Sequence, residues 1–306
     1  MITTQKLSNY SKLLLKITLF IFIGVILGAI IFLMPKHKNI LPFVSGGIAA
    51  VGTESIDKKT IDYQIKVDKC YGSENQSEGV ALIKIINNLL EKEVLLSAFD
   101  IKITEKDLED KSGWVDTNTK APDILKCVKE VFGNDRKNYL ALYISPTVVN
   151  PTLYNNFYFS PEIHKEELNE IKEIKAKIDS GQRLEDFPNY SSLEVPKEIT
   201  LPDTLEPYQD QFKESVLSKV VKQLKPNQIW PEIIEDEYSY MIVRLLKEDE
   251  NQYYLDGVTV AKKEFDPWFK DWVTRNIKIF VFDSQIAQDL KTNYSQIWWV
   301  ALIKEK

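Results

Sequence analysis

The chain is predicted to be an α+β protein carried on an N-terminal transmembrane helix, an expectation that rests on three observations. Leu13 to Met34 is a run of 22 residues whose one charge is Lys16, long enough at ~1.5 Å per residue to span a ~30 Å hydrocarbon core. Residues 57–158 carry apolar side chains at steps of three and four, the period of a helix. Tyr238 to Leu246 and Ile277 to Phe282 are instead strand-length runs dense in aromatic and branched side chains. The expected layout is a tail over 1–12, an anchor over 13–34, a linker over 35–47 and a mainly helical module over 48–158. A small α/β domain over 159–250 follows, and then a C-terminal helix and strand over 251–306 that pack back on the helical module.

The anchor sets the expected location. A cleavable signal peptide would end in small residues, whereas Met34-Pro35-Lys36-His37-Lys38 follows the span. Lys6, Lys12 and Lys16 precede it and Lys36 and Lys38 follow, so the expected placement is single-pass in the cell membrane with the N-terminus cytoplasmic and the body outside. With 306 residues, 44% hydrophobic and 27% charged, the chain has apolar material for two modest cores and is not a disordered protein. A net charge of −6 with no Lys/Arg-rich run beyond the N-terminus argues against a nucleic-acid surface.

Element by element, Ala49-Ala50-Val51 reads as a short strand, followed by a turn and a helix capped by Asp57. Gly79 to Phe99 is a core helix: Val80, Ile83, Ile86, Leu90 and Val94 make one stripe, and Leu82, Ile85, Leu89 and Leu96 widen it beyond one face. Thr104 with Asp107 three residues on is a capping box, and Pro122 opens a helix that Gly133 ends. From Asp135 to Tyr158 helical spacing continues through Pro146 and Pro151, which predict kinks or breaks. Glu162 to Gly181 is a charged helix with a thin apolar seam at Leu168, Ile171, Ile174 and Ile178, and Gln209 to Leu224 is a further helix. Pro226-Asn227 then makes a turn, and the strand from Tyr238 puts Ser239, Met241, Val243 and Leu245 on one face. Phe265 to Arg275 is a helix and Ile277 to Phe282 a strand. Trp298-Trp299 reads as a packed tail or an interfacial membrane contact.

Few residues carry chemistry. Cys70 and Cys127 are the only cysteines, with no Cys-x-x-Cys and no neighbouring histidine, which excludes a thiolate metal site; they form either one disulfide between two helices or two buried thiols. His37 and His164 are expected to be inert surface histidines, and no Gly-x-Ser-x-Gly, P-loop or His-Glu-x-x-His motif is present. The acidic runs 235–237 and 248–250 read as solvated strand ends. No metal and no cofactor is expected.

Two stretches resemble known families. The order of a helix ending at Gly181, a helix ending in Leu224-Lys225-Pro226-Asn227-Gln228-Ile229, and the strand Tyr238-Ser239-Tyr240-Met241-Ile242-Val243-Arg244-Leu245 resembles the parvulin (PpiC-type) peptidyl-prolyl isomerases. Their segments read roughly Phe-x-x-Ala-x-x-x-Leu-Lys-x-Gly-Glu-Ile and Phe-Gly-Tyr-His-Ile-Ile-Lys-Val. Upstream, Ile86-Asn87-Asn88-Leu89-Leu90 through Leu96-Ser97-Ala98 looks like the N-terminal helical module of SurA- and PrsA-type chaperones. The resemblance implies a SurA-like module completed by the C-terminal segment, Ala49-Ala50-Val51 and Ile277 to Phe282 being strand partners, with a degenerate parvulin-like domain inserted. It implies a membrane-anchored chaperone of unfolded or secreted polypeptides, with peptide-groove residues Phe212, Leu217 and Met241. The departures weigh against catalysis: the strand with the first histidine is missing before Glu162, Met241 stands where the last strand carries a histidine, and Leu201-Pro202-Asp203-Thr204-Leu205 replaces Gly-Gly-Asp-Leu-Gly. An active isomerase and a structural envelope protein with one fixed partner are the alternative expectations.

Overall fold

The computed structural model describes residues 47–73, 76–197 and 216–304. The expected anchor over 13–34, His37 and the groove candidate Phe212 lie outside them. Among the described residues no helix is long and apolar enough to cross a membrane. That finding corrects both the fold class, which began with a transmembrane helix, and the single-pass membrane placement. What the described chain forms is a mixed α+β architecture around two four-stranded sheets.

The first sheet gathers the two ends of the described chain. Strands β1 (Ala49–Val51) and β2 (Glu54–Ile56) form a hairpin whose turn contains Gly52 at φ +56°, and β1 pairs antiparallel with β7 (Ile279–Val281), so the expected strand partners meet. The last strand, β8 (Ile303–Lys304), adds parallel to β7. Helix α1 (Lys58–Cys70) starts at Asp57, whose carboxylate accepts the Thr60 N–H at 2.8 Å. Helix α2 (Glu78–Phe99) is the spine of the main core, with Leu82, Ile86, Leu90 and Val94 fully enclosed. Trp299, from the C-terminal 3-10 turn, is buried beside it and donates its indole N–H to Asn87 at 2.7 Å, which makes the tryptophan tail a packed one.

Helices α3 (Glu105–Asn118) and α4 (Pro122–Phe132) carry the Thr104–Asp107 capping box and the Gly133 stop. Cys70 at the end of α1 is disulfide-bonded to Cys127 in α4, with the Cα atoms 5.8 Å apart. Helices α5 (Arg136–Tyr139) and α6 (Ser145–Tyr158) are joined by a π-helical turn over Leu140–Ile144, so the chain stays helical through both prolines. The wider turn ends just before Pro146, which then occupies the first turn of α6, where a proline needs no partner for its nitrogen. Pro151 sits inside α6.

The second sheet has the order β3-β6-β5-β4 and is antiparallel throughout. Its strands are β3 (Tyr190–Pro196), β4 (Ile234–Glu235), β5 (Ser239–Glu248) and β6 (Gln252–Ala261). The boundary expected at 250 therefore falls inside the β5–β6 hairpin. Strand β6 escapes a pattern reading because Asp256-Gly257 interrupts it, and both residues are required by the fold. A Cβ on Gly257 would stand 2.3 Å from the Ile242 carbonyl oxygen. Asp256 is buried and answered by Arg244 Nε at 2.9 Å and the Tyr190 hydroxyl at 2.8 Å.

Both faces of this sheet are covered. Helix α7 (Lys165–Asp179) lays Ile171, Ile174 and Ile178 on Tyr240, Ile242, Val258 and Val260. On the opposite face, helix α8 (Val216–Val221) and its neighbours bring Leu217, Val220 and Trp230 over Ile234, Met241 and Val243. Asn227 adopts the left-handed conformation at φ +66° that the Pro226-Asn227 turn anticipates.

Candidate functional site

The groove expected at Phe212, Leu217 and Met241 is not an open one where the structure describes it. Met241 is 6% exposed and packs among Ile234, Val243, Leu217 and Val220. The period-two reading placed it on the correct face of the strand, but that face is filled core.

Open aromatic surface lies instead where the helical module meets the second sheet. The last turn of α6 contributes Tyr154 and Tyr158, and the chain leaves the helix at Phe159. The β4–β5 turn contributes Glu237 and Tyr238, the connection from β6 to α9 (Phe265–Asn276) contributes Lys262, Lys263 and Glu264, and the first turn of α9 contributes Asp266. These residues surround a cleft of about 550 Å³ that adjoins a second of about 410 Å³, with Tyr154, Tyr158 and Tyr238 common to both. Tyr238 is 65% exposed and Phe159 45%, whereas Tyr154 and Tyr158 are half-buried. The Tyr158 and Tyr238 rings meet edge to face at 5.5 Å, and Tyr154 stacks on Phe265 at 4.2 Å. The cleft thus has one wall of solvent-exposed rings and one wall seated in the core.

The turn carrying Tyr238 is set by Asp236, whose carboxylate accepts the N–H groups of Tyr238 at 2.8 Å and Ser239 at 2.7 Å. The acidic run therefore builds a turn in addition to solvating a strand end. Lys262 fastens this turn to α6. Its side chain is enclosed, and its ammonium donates to the Tyr158 carbonyl at 2.6 Å, the Asp236 carbonyl at 2.7 Å and Glu235 at 2.8 Å, which uses all three of its protons. The same nitrogen lies 4.9 Å from the Phe159 ring centre and 4.8 Å from that of Tyr240.

His164 is a second fastening. The sequence suggested an inert surface residue, but its exposure is 0%. Nε2 lies 3.0 Å from the Phe157 carbonyl oxygen, and Nδ1 accepts the Lys263 N–H at 3.3 Å. Those partners select the neutral ring with the proton on Nε2. Burial pushes its pKa below the ordinary value, and the nearby Lys262 and Lys263 charges act in the same direction.

Electrostatically the cleft is negative. Glu237, Glu264 and Asp266 line it and are exposed, and among the described residues none of them makes an ion pair. Burial raises the Tyr158 pKa, and the neighbouring Tyr238, Glu237 and Asp266 add to the rise; Tyr154 is raised by burial, with Asp266 and Glu91 assisting. The Glu91 carboxyl is itself pushed up by burial. Of the cations, Lys262 is already satisfied and Lys263 reaches Glu166 at 3.5 Å.

Nothing here resembles a nucleophile with its base. A further enclosed polar cluster, Asp256 with Arg244, Glu185 and Tyr190, is internally satisfied by hydrogen bonds. Among the described residues no three His, Cys, Asp or Glu side chains are placed to hold a metal ion. What the cleft offers chemically is exposed aromatic surface for stacking and burial. No protein-family model matches the chain, and no curated protein is significantly similar to it. The aromatic density of Tyr154-Asn155-Asn156-Phe157-Tyr158-Phe159 was an available signal in the sequence, since Tyr154, Phe157 and Tyr158 share one helix face and Phe159, just past the helix end, falls off it.

Proposed function

We propose that this protein is a polypeptide-binding chaperone of the SurA/parvulin kind, acting by transient capture of unfolded chains and not by catalysis of prolyl isomerisation. The observation that carries the reading is the exposed aromatic wall of the junction cleft. Tyr238 and Phe159 are large apolar side chains left open to solvent beside the half-buried Tyr154 and Tyr158; among the described residues the other exposed aromatic side chains, Tyr71 and Trp114, line neither part of this cleft. Tyrosine rings give contact area with little side-chain entropy to lose, so they suit repeated, weak contact with many sequences. Support for the kinship comes from the chain order: a terminal strand pair closing a helical module, with a four-stranded antiparallel sheet inserted between. The enclosure of Met241 favours binding over isomerisation, because the position that would carry a histidine offers no room for a substrate.

Aggregation of a chemically unfolded client, followed by light scattering with the purified full chain, tests the reading. The expected outcome is suppression by the wild type and its loss in a Phe159→Ser/Tyr238→Ser double variant of unchanged circular dichroism. A wild-type chain that neither delays aggregation nor binds any unfolded peptide overturns the proposal. A proline-peptide isomerisation assay is expected to show no acceleration over the unassisted rate.

A further inference from the structure

Resting on the binding role just proposed, a narrower statement can be made about what the cleft takes. We propose that the junction cleft selects client segments in which a lysine or arginine side chain stands next to an aromatic or apolar one. The argument begins with the charge balance of the lining. Glu237, Glu264 and Asp266 are exposed there, and among the described residues they have no ion-pair partner. Of the cations in the same lining, Lys262 is fully engaged by Glu235 and two carbonyl oxygens, and Lys263 lies 3.5 Å from Glu166 in a surface pair, which leaves the three carboxylates in the majority. An acidic client segment would meet three uncompensated carboxylates, whereas a basic one would relieve them.

The second part is the geometry of the rings. The Tyr158 and Tyr238 rings meet edge to face 5.5 Å apart and Tyr238 is largely exposed, so aromatic surface of the kind that attracts cations lines the same cleft as Glu237. Glu237 lines one part of the cleft with Tyr158 and Tyr238, and Asp266 lines the adjoining part with the same two rings, so carboxylates and rings share one surface. The combination of an aromatic face and a carboxylate already holds a cation a few ångströms away. Lys262 lies 4.9 and 4.8 Å from the Phe159 and Tyr240 ring centres with Glu235 on its ammonium. Phe159 belongs to both arrangements: it covers Lys262 and also lines the open cleft. The molecule thus shows, in closed form, the contact set that the open cleft offers to a cation from outside. An aliphatic segment would gain the burial but leave the carboxylates desolvated, so the basic-aromatic segment is the better fit.

The experiment measures binding of the full chain to three fluorescent unstructured peptides identical except at two positions flanking a central phenylalanine, which are Lys/Arg, Gln/Gln or Glu/Glu. The expected result is a Kd about fivefold to tenfold lower for the basic peptide than for the glutamine peptide at low salt, corresponding to one new cation–π and carboxylate contact set. That preference should shrink toward unity in a Glu237→Gln/Asp266→Asn variant and in 0.5 M salt. Equal affinities for the basic and glutamine peptides overturn the inference, as does a preference that survives the double variant. If the glutamine peptide binds and Tyr238→Ser weakens it while charge makes no difference, the binding role stands and the charge selection falls. If no peptide of any charge binds, both fall.

Discussion

Two surfaces of the second sheet region, both rich in large apolar side chains, have opposite fates. Under α8, Met241 lies in a filled layer with Ile234, Val243, Leu217 and Val220, although it occupies the position a family resemblance marks as functional. At the junction with α6, Tyr238, only three residues earlier in the chain, stands two-thirds exposed over a cleft. A residue's place in a strand pattern does not determine whether it packs or binds. The deciding factor is whether another element covers it: a helix covers the Met241 face, whereas the turn that carries Tyr238 is held by hydrogen bonds from Asp236 and Lys262 with no element over the ring.

The sharpest way to break this contrast is to remove side chains from each surface. Met241→Ala should cost about 3 kcal/mol of unfolding free energy by denaturant titration, from lost burial plus the cavity left behind, with no change in client binding. A comparable effect is expected for Lys262→Met. It strands the Tyr158 and Asp236 carbonyls without their donor and frees the β4–β5 turn, costing on the order of 2 to 3 kcal/mol, the lower part of the usual range because Glu235 is partly solvated. Here binding should fall as well, since the turn carries Tyr238.

His164 supplies a pH test of the same fastening. Its folded-state pKa lies below that of the unfolded chain, so the unfolded state binds the extra proton first as pH drops. The stabilisation is complete above the unfolded value of ~6.5 and is lost as pH falls from there through the lowered folded value. Unfolding free energies measured from pH 7.5 to 5 should decline in the wild type more steeply than in a His164→Gln variant, which cannot take up a proton. The smallest stability effect is expected from Tyr238→Ser, within about 0.5 kcal/mol, because an exposed ring loses little burial. It should nevertheless weaken client binding more than Met241→Ala does. The reverse order would show that binding runs through the sheet face after all.

Much of the fold could be read residue by residue. Asp57, the Thr104–Asp107 box, Pro122, Gly133 and Asn227 act within one turn of chain, where steric limits and hydrogen bonding are local, and each does in the structure what its neighbours in the chain imply. The pairing of Ala49–Val51 with Ile279–Val281 came from the resemblance to SurA-type modules, in which the C-terminal segment completes the N-terminal one, and the two strands do pair antiparallel. Strand β6 did not follow. Asp256 and Gly257 look like breakers until Arg244 and the Ile242 carbonyl are placed against them. The cleft was equally hidden. Lys262 acquires its meaning from Tyr158, 104 positions away, and His164 from Lys263, 99 positions away. Caps, turns and periodicity are properties of neighbours in the chain. Which ring stays open, which lysine is enclosed and which methionine is merely core depend on the packing of distant segments, and that information exists only once the chain has folded.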